Sequence, residues 1–307
     1  MNALTHDRHE PSRDTSSARV FHVETVLVPL DGTSHSKVAL PVARVVARVE
    51  NASLHVVYVG DHLLGARETL HELGLTQDEM HGAVLHERIG EPARAIAELA
   101  RELPSPLIVM CTHAGNRART LLGSVAEGVL TAIPARIMFV PPERGPAPWQ
   151  LRRILLAHNG TPTADVALPS TADLAHRAGA EVIALHVAAR GDEGPSEPGS
   201  LPAPRYIDQP HHEWPAWARE FVERMMALGA PATSMNFKLL VAGGQPGSEV
   251  AQFARDHLVD LVTVPWAGDW DSKPTGALKT IVGRSGCPVL LLCTAALAAQ
   301  AGETRAA

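Results

Sequence analysis

Two short groups of residues in the first half of the chain have the types and spacing that could bind an anion. Gly123 and Ser124 stand where a helical pattern begins, so unpaired backbone amides and the positive end of a helix dipole would face a phosphate group. Arg117 and Arg119 lie in the loop before them and would add positive charge. Serine at this position is also a common helix N-cap, so phosphate binding and plain capping both stay open.

Asp31 is the second candidate for contact with a ligand. It follows Pro29 at the end of an apolar run and precedes Gly32 in a tight turn. An aspartate in such a turn often accepts hydrogen bonds from its own backbone, and that role alone would explain it. A carboxylate at the end of a strand could equally accept a hydrogen bond from a bound molecule. The residues alone leave both uses open.

An internal repeat supplies the elements that must hold these residues. An apolar strand runs into a tight turn at 25–33 and again at 153–161, which is 128 positions later. A helix and a second strand follow in each copy, predicted at 36–49 and 52–59, and at 165–178 and 181–187. The copies continue at an offset of 154, with helices predicted at 93–101 and 247–255 and strands at 107–110, 135–140, 261–264 and 289–293.

Each copy therefore alternates strands and helices in the order β-α-β-α-β-α-β-α-β. This alternation requires parallel strands with right-handed crossovers, and ligands bind such sheets at the carboxyl ends of the strands. We predict an α/β fold with two tandem Rossmann-like or flavodoxin-like domains, each a five-stranded, mostly parallel sheet flanked by helices. Aromatic residues make up only 4% of the chain, which suits Val-, Leu- and Ala-rich strands covered on both faces.

The composition shifts set the expected domain boundaries. We expect a disordered lead over 1–20, a first domain over 21–142, a Pro-rich linker over 143–149, a second domain over 150–294 and a disordered tail over 295–307. The second domain carries an insertion at about 190–215, which its Pro and Gly content predicts to be a loop. Its aromatic stretch from Tyr206 to Trp217 could form a partner-binding patch or pack against the sheet edge.

Several classes of protein are disfavoured by composition and by motif. A net charge of -6 gives no basis for binding nucleic acid, and no apolar run is long enough to span a membrane. The widely spaced Cys111, Cys287 and Cys293 predict reduced thiols and a cytoplasmic protein. No GxSxG, Walker or HExxH pattern occurs, so we assign no catalytic residue and no metal ligand.

The order of motifs resembles the universal stress protein family over roughly 23–141 and 151–293. The first domain has Pro-Leu-Asp-Gly-Thr at 29–33 and, at 123–129, a Gly-Ser that opens a helix reading Val-Ala-Glu-Gly-Val. The resemblance implies that Asp31 accepts a hydrogen bond from an adenine amino group, that the Val59 backbone meets the base edge and that Met110 lines the base pocket. The site residues it implies are Pro29, Asp31, Val59, Met110, Gly115, Gly123, Ser124 and Val125.

The glycine loop departs from the pattern of nucleotide-binding members. Cys111 and Ala114 replace its first two glycines and the loop is one residue short, although Gly115 would serve in a shifted register. A Cβ at such positions obstructs close approach of backbone amides to phosphate. In the second domain, Asn159 replaces the aspartate and Pro-Trp-Ala-Gly at 265–268 replaces the glycines. We therefore interpret the second domain as a structural or partner-binding copy.

The resemblance implies a stress-response regulatory protein whose first domain could bind ATP or another adenine nucleotide, with no metal beyond nucleotide-associated Mg²⁺. The alternative hypothesis, from a different functional class, is a nucleotide-independent protein-interaction module with vestigial clefts and an unknown protein partner. A third is a slow ATP hydrolase. Single-domain members pair through their last strand, which implies an intramolecular pseudo-dimer through 135–140 and 289–293 and leaves a homodimer through another surface open.

Overall fold

The computed structural model describes residues 22–112, 122–133, 136–144, 148–188, 197–198, 200, 219–220, 223, 237–268, 270 and 275–294. Several predictions fall outside these residues: the lead over 1–20, the tail over 295–307, most of the insertion with Tyr206 and Trp217, and the loop residues Ala114, Gly115, Arg117 and Arg119. In the described part of the chain, no helix is long and apolar enough to cross a membrane.

The described elements follow the predicted alternation of strands and helices. The strands are β1 Thr25–Pro29, β2 Ser53–Gly60, β3 Ala83–Ile89, β4 Pro106–Cys111, β5 Arg136–Val140, β6 Arg153–His158, β7 Glu181–Ala188, β8 Phe237–Gly243, β9 Leu261–Trp266 and β10 Val289–Cys293. The helices are α1 Ser34–Lys37, α2 Ala39–Glu50, α3 Ala66–Glu72, α4 Pro92–Glu102, α5 Ser124–Ala132, α6 Pro162–Asp165, α7 Ala167–Ala178, α8 Pro246–Asp256 and α9 Gly276–Arg284. A short 3₁₀ turn spans Pro142–Arg144.

The strands form one continuous sheet in the order β3-β2-β1-β4-β5-β10-β9-β6-β7-β8. Each half contributes five parallel strands, so the predicted fold class is confirmed. The halves join where β5 pairs antiparallel with β10, with Met138 opposite Leu290. These are the last strands of the two copies, which are the segments that the resemblance implied would pair.

The first helix of each half differs from the prediction of one helix over 36–49 and one over 165–178. Thr33 caps α1 through its side chain, and Thr161 caps α6 in the same way, so both helices begin earlier than predicted. Each short helix then gives way to the long one at Val38 or Val166. The break recurs at the same position of the repeat, so it is a property of this fold rather than of one half.

The two hydrophobic cores are divided by sheet face and not by domain. The first core lies between the sheet and helices α2 and α7, and we call this side the α2 face. The second lies under α4, α5, α8 and α9, and we call this side the α5 face. Each core contains buried residues from both halves, and every residue of β5 and β10 is buried. The halves therefore share their apolar burial, which is the main source of folding free energy.

The chain between the halves is fixed to the second half by one aspartate. Asp260 Oδ2 accepts hydrogen bonds from the backbone amides of Arg152 and Arg153, both at 2.9 Å. The indole of Trp149, which is buried, donates to the Asp260 carbonyl at 3.2 Å. The end of the Pro-rich linker and the first residue of β6 are therefore held against the start of β9, which Asp260 directly precedes.

Candidate functional site

The order of the strands creates a crevice between the carboxyl ends of β1 and β4. From β1 the chain moves outwards to β2 and β3, and it then crosses back to place β4 on the other side of β1. The pairing of β1 with β4 ends at Leu27 opposite Ile108, two residues before Pro29 and Met110. A reversal of strand order of this kind is where open α/β sheets bind ligands.

Asp31 forms the turn that leads out of β1. Its Oδ1 accepts hydrogen bonds from the Thr33 amide at 2.9 Å and from the Thr33 hydroxyl at 2.7 Å. Burial raises the pKa of Asp31, but hydrogen bonds from Ser36 and Thr33 outweigh it, so the pKa lies below its ordinary 3.8 and the carboxyl is ionised at neutral pH. Gly32 has φ +82°, and a Cβ there would lie 2.7 Å from the Glu72 carbonyl oxygen. The turn role of Asp31 is thus present in the structure.

Asn159 forms the same turn in the second half. Its Oδ1 accepts from the Thr161 amide at 3.1 Å and from the Thr161 hydroxyl at 2.8 Å. The turn therefore needs only one side-chain oxygen, which an amide supplies as well as a carboxylate. The negative charge of Asp31 is not required for the turn and is available for another use.

Helix α5 presents its first turn next to β4. Gly123, with extended backbone, is the N-cap and makes no side-chain cap, while its amide donates to the Thr112 carbonyl at 2.7 Å. Ser124 is the first helical residue, so the plain N-cap role considered for it is wrong, because the preceding glycine takes that position. Among the described residues, no acceptor is bonded to the amides of Ser124 and Val125.

The other predicted residues lie at the same edge of the sheet. Val59 and Met110 are on the α5 face, where Met110 is buried and Val59 is half-buried. Pro29 ends β1 beside them, in register with Val57 of β2. Cys111, the residue that replaces the first glycine, packs into the core of the α2 face and ends β4. Its side chain therefore belongs to the core on the opposite side of the sheet from α5.

Glu87 organises the loop after β2, and sequence reasoning missed it. Its Oε2 accepts from the amides of Leu64 and Gly65, both at 3.0 Å. A hydrogen bond from the Gly65 backbone, with others from Thr69 and Leu64, lowers the pKa of Glu87 despite the opposing effect of burial. The carboxylate is 22 residues from Gly65 in sequence, so no local pattern could reveal the contact.

We expect replacement of Glu87 by Gln to loosen the loop over 61–65. The loss of a charge-assisted acceptor for two amides should reduce local stability by about 1–2 kcal/mol. Amide hydrogen exchange of Leu64 and Gly65 should be about ten times faster or more. Glu72→Gln is the control, because Glu72 is exposed at the end of α3, the helix that follows this loop, and the change should leave exchange unchanged. Equal exchange in both variants would contradict the role of Glu87.

The corresponding edge of the second half carries buried side chains of a different kind. His158 Nδ1 accepts from the Gly160 amide at 3.0 Å, and its Nε2 lies 3.0 Å from Asp165 Oδ1. His186 Nδ1 donates to the His158 carbonyl at 3.1 Å, and burial, followed by the electrostatic influence of the neighbouring His158, lowers the pKa of His186 to about 4. Among the described residues, no three His, Cys, Asp or Glu side chains converge as metal ligands.

Two indoles also lie at this edge. Trp266 ends β9, at the repeat position that Thr112 occupies in the first half, and it is buried. Trp270 is buried as well, and its carbonyl accepts from the Thr275 hydroxyl at 2.9 Å, just before α9. At the end of β9 a buried indole therefore occupies the position where the first half has Thr112.

Comparison with known proteins gives a consistent assignment. The sequence matches the universal stress protein family over residues 22–141 and again over residues 150–292. A universal stress protein from Archaeoglobus fulgidus DSM 4304 has a TM-score of 0.62 at 17% identity, with 89% of this chain and 100% of that chain covered.

Two further solved structures share the fold. A putative universal stress protein from Pseudomonas aeruginosa UCBPP-PA14 has a TM-score of 0.63 at 14% identity, covering 91% of this chain and 98% of that one. The cytoplasmic domain of a prokaryotic cation chloride cotransporter has a TM-score of 0.50 at 12% identity, covering 91% and 100%. At these identities the likeness is one of fold. No curated protein matches the sequence.

Proposed function

The chain belongs to the universal stress protein family as a tandem two-domain member, and on that premise we propose that the crevice of its first half binds an adenine nucleotide, ATP foremost. The observation that carries the proposal is the difference between two equivalent turns. Asp31 and Asn159 make the same hydrogen bonds, yet only the first half places a negative charge there. A charge that the turn does not need is suited to accept a hydrogen bond from an adenine amino group.

The proposed site has a base end and a phosphate end. At the base end, Val59 would offer its backbone, and Met110 and Pro29 would form the apolar wall. At the phosphate end, the amides of Ser124 and Val125 have no acceptor among the described residues, and Gly123 places no Cβ beside them. The residues present therefore fit a phosphate group, since free amides at a helix start favour an anion. Mg²⁺ would arrive with the nucleotide.

The second half of the chain and the cysteines have a place in the proposed function as well. We place the domains at 21–142 and 150–294 and assign the second to a structural or partner-binding role, because Trp266 and Trp270 are buried at its crevice. No disulfide joins Cys111, Cys287 and Cys293, which supports a cytoplasmic location. We propose a regulatory protein of the stress response, and we assign no residue to ATP hydrolysis.

Asp31→Asn is the variant that tests the proposed base contact. The turn should survive, because Asn159 makes the same two bonds, while the charge that faces the base is lost. We expect ATP affinity, measured by calorimetry on nucleotide-free protein, to fall by about tenfold, which corresponds to about 1.4 kcal/mol. Asp31→Ala should cost more, because it also removes the turn acceptor.

Asn159→Asp is the matched control. It places the same charge in the equivalent turn of the second half, and it should leave ATP affinity unchanged. If Asp31→Asn binds ATP as tightly as the wild-type protein does, the proposed base contact is wrong. If the wild-type protein does not bind ATP, the proposal of nucleotide binding is wrong as a whole. In that case the interaction module with vestigial clefts would be the better reading.

A further inference from the structure

A basic pocket lies at the opposite end of the sheet from the crevice. It has a volume of about 280 Å³ and lies between the last turns of α2 and the amino end of β2, with Gly82 just before β3 on its rim. The crevice is at the carboxyl ends of the strands, so a molecule in this pocket would not touch the proposed nucleotide. Nothing in the proposed function uses it.

Two guanidinium groups give the pocket its charge. Arg44 and Arg48 line it together, one turn apart on the same side of α2. Arg48 is exposed and makes no ion pair with any described residue. The equivalent positions of the second half are Ala172 and His176, so the fold itself does not need an arginine pair at this place.

Arg44 is incompletely bonded within the described residues. Its Nη1 donates to the His81 carbonyl at 3.4 Å, near the limit for a hydrogen bond, and its buried Nη2 has no acceptor there. The charge of Arg44 contributes to lowering the pKa of Glu79, after the hydrogen bonds from Thr76. Glu79 Oε2 is held by those bonds, at 2.8 Å from the Thr76 amide and 3.0 Å from its hydroxyl. A buried N–H without an acceptor is costly, and a turn of the Arg44 guanidinium into the pocket would let an oxyanion supply one.

The remaining lining suits a small organic anion. Asn51, in the left-handed conformation at the end of α2, and Gly82, with open space where a Cβ would be, form a polar rim. Ala47 and Leu54 provide an apolar floor. We propose that this pocket binds a small molecule through a carboxylate or phosphate group held by the Arg44 and Arg48 guanidiniums. The planar fork of arginine matches either oxyanion.

The test uses the full chain at low ionic strength with two probes, inorganic phosphate and succinate, and binding is followed by calorimetry. We expect saturable binding of at least one probe, weakened by about tenfold or more in Arg44→Ala. The variant should fold, since Ala172 occupies the equivalent position. Arg44→Lys keeps the positive charge but loses the planar guanidinium, so its affinity for the probe should lie between those of the wild type and Arg44→Ala. The tighter probe identifies the oxyanion.

Arg94→Ala is the charge-matched control, because Arg94 is exposed on α4 and pairs only with Glu98 among the described residues. It should bind the probe with an affinity within about twofold of the wild type. Binding that persists unchanged in Arg44→Ala would overturn the proposal, since phosphate held at the start of α5 would behave in this way. No saturable binding of either probe would overturn it too.

Discussion

Leu290→Asp should severely destabilise the fold. Leu290 lies in the middle of β10, between Met138 of β5 and Thr263 of β9, with 1% of its surface exposed. A carboxylate there would be buried without a partner in the strand that joins the halves, and changes of this kind cost more than about 4 kcal/mol. The total stability of a domain is about 5–15 kcal/mol, so this loss is a large fraction of it.

The same change at the sheet edge should be tolerated. Val84→Asp places the carboxylate on edge strand β3, where Val84 is 47% exposed, and should cost no more than about 1 kcal/mol. Circular dichroism of both variants checks the contrast. A Leu290→Asp chain with half of its native signal and a cooperative transition would contradict the expectation, because it would mean that one half folds alone.

The shared cores also predict how the wild-type chain unfolds. All five tryptophans lie at or after position 149, so their fluorescence reports the second half, whereas far-UV circular dichroism reports both. Each core runs through both halves, so the two urea curves should coincide. Separate midpoints would show that the halves unfold independently despite the β5–β10 pairing.

Periodicity and repetition were sufficient to predict the sheet and its crevice. The 128-residue offset between Asp31 and Asn159 located two equivalent turns, and the apolar runs at 135–140 and 289–293 marked the central strands. These signals are local and recur, so a single sequence carries them twice. The side chains at the crevice were predictable for the same reason, since the ends of parallel strands meet at one edge.

Contacts between distant residues left no such signal. The Glu87 carboxylate accepts from the Leu64 amide, and nothing in the sequence around Glu87 distinguishes it from the other acidic residues of the chain. The burial of Trp266 depends on how the strands end, which the residue type does not reveal. The same holds for the pairing of Glu50 with Arg177, which links the two halves across more than a hundred residues.

Glu50 is the buried acid of that link. It ends α2, its side chain is 0% exposed, and its Oε2 lies 2.9 Å from Nη2 of Arg177 at the end of α7. Asp173 shares the same guanidinium at 3.1 Å, and the charge of the buried Arg136 also acts on Glu50. Burial is the largest influence and outweighs the two arginines, so the pKa of Glu50 rises from 4.5 to about 7.

We expect Glu50 to make folding less favourable as pH rises. Its carboxyl holds a proton more tightly in the folded chain than in the unfolded chain, so its stabilising contribution is complete below about pH 4.5 and is lost as pH approaches 7. The loss should be about 3 kcal/mol. Glu50→Gln imitates the protonated acid at every pH, so this loss of stability with rising pH should be absent from the variant. The free energy of unfolding of both proteins, measured by urea denaturation from pH 4.5 to 8, gives the difference.

The comparison with Glu50→Gln is essential because His186 acts in the opposite direction. Its pKa is lowered to about 4 in the fold, so its neutral form stabilises the protein above pH 6.5 and this contribution is lost as pH falls towards 4. The pH-dependent contributions of Glu50 and His186 to the free energy of unfolding have opposite signs, and they largely cancel in the wild-type chain between pH 4.5 and 6.5. The Glu50→Gln protein keeps only the contribution of His186, so it should become clearly more stable as pH rises from 4.5 to 6.5. If the wild type gained stability relative to Glu50→Gln on raising the pH, the arginines would outweigh burial and Glu50 would be ionised in a favourable pair.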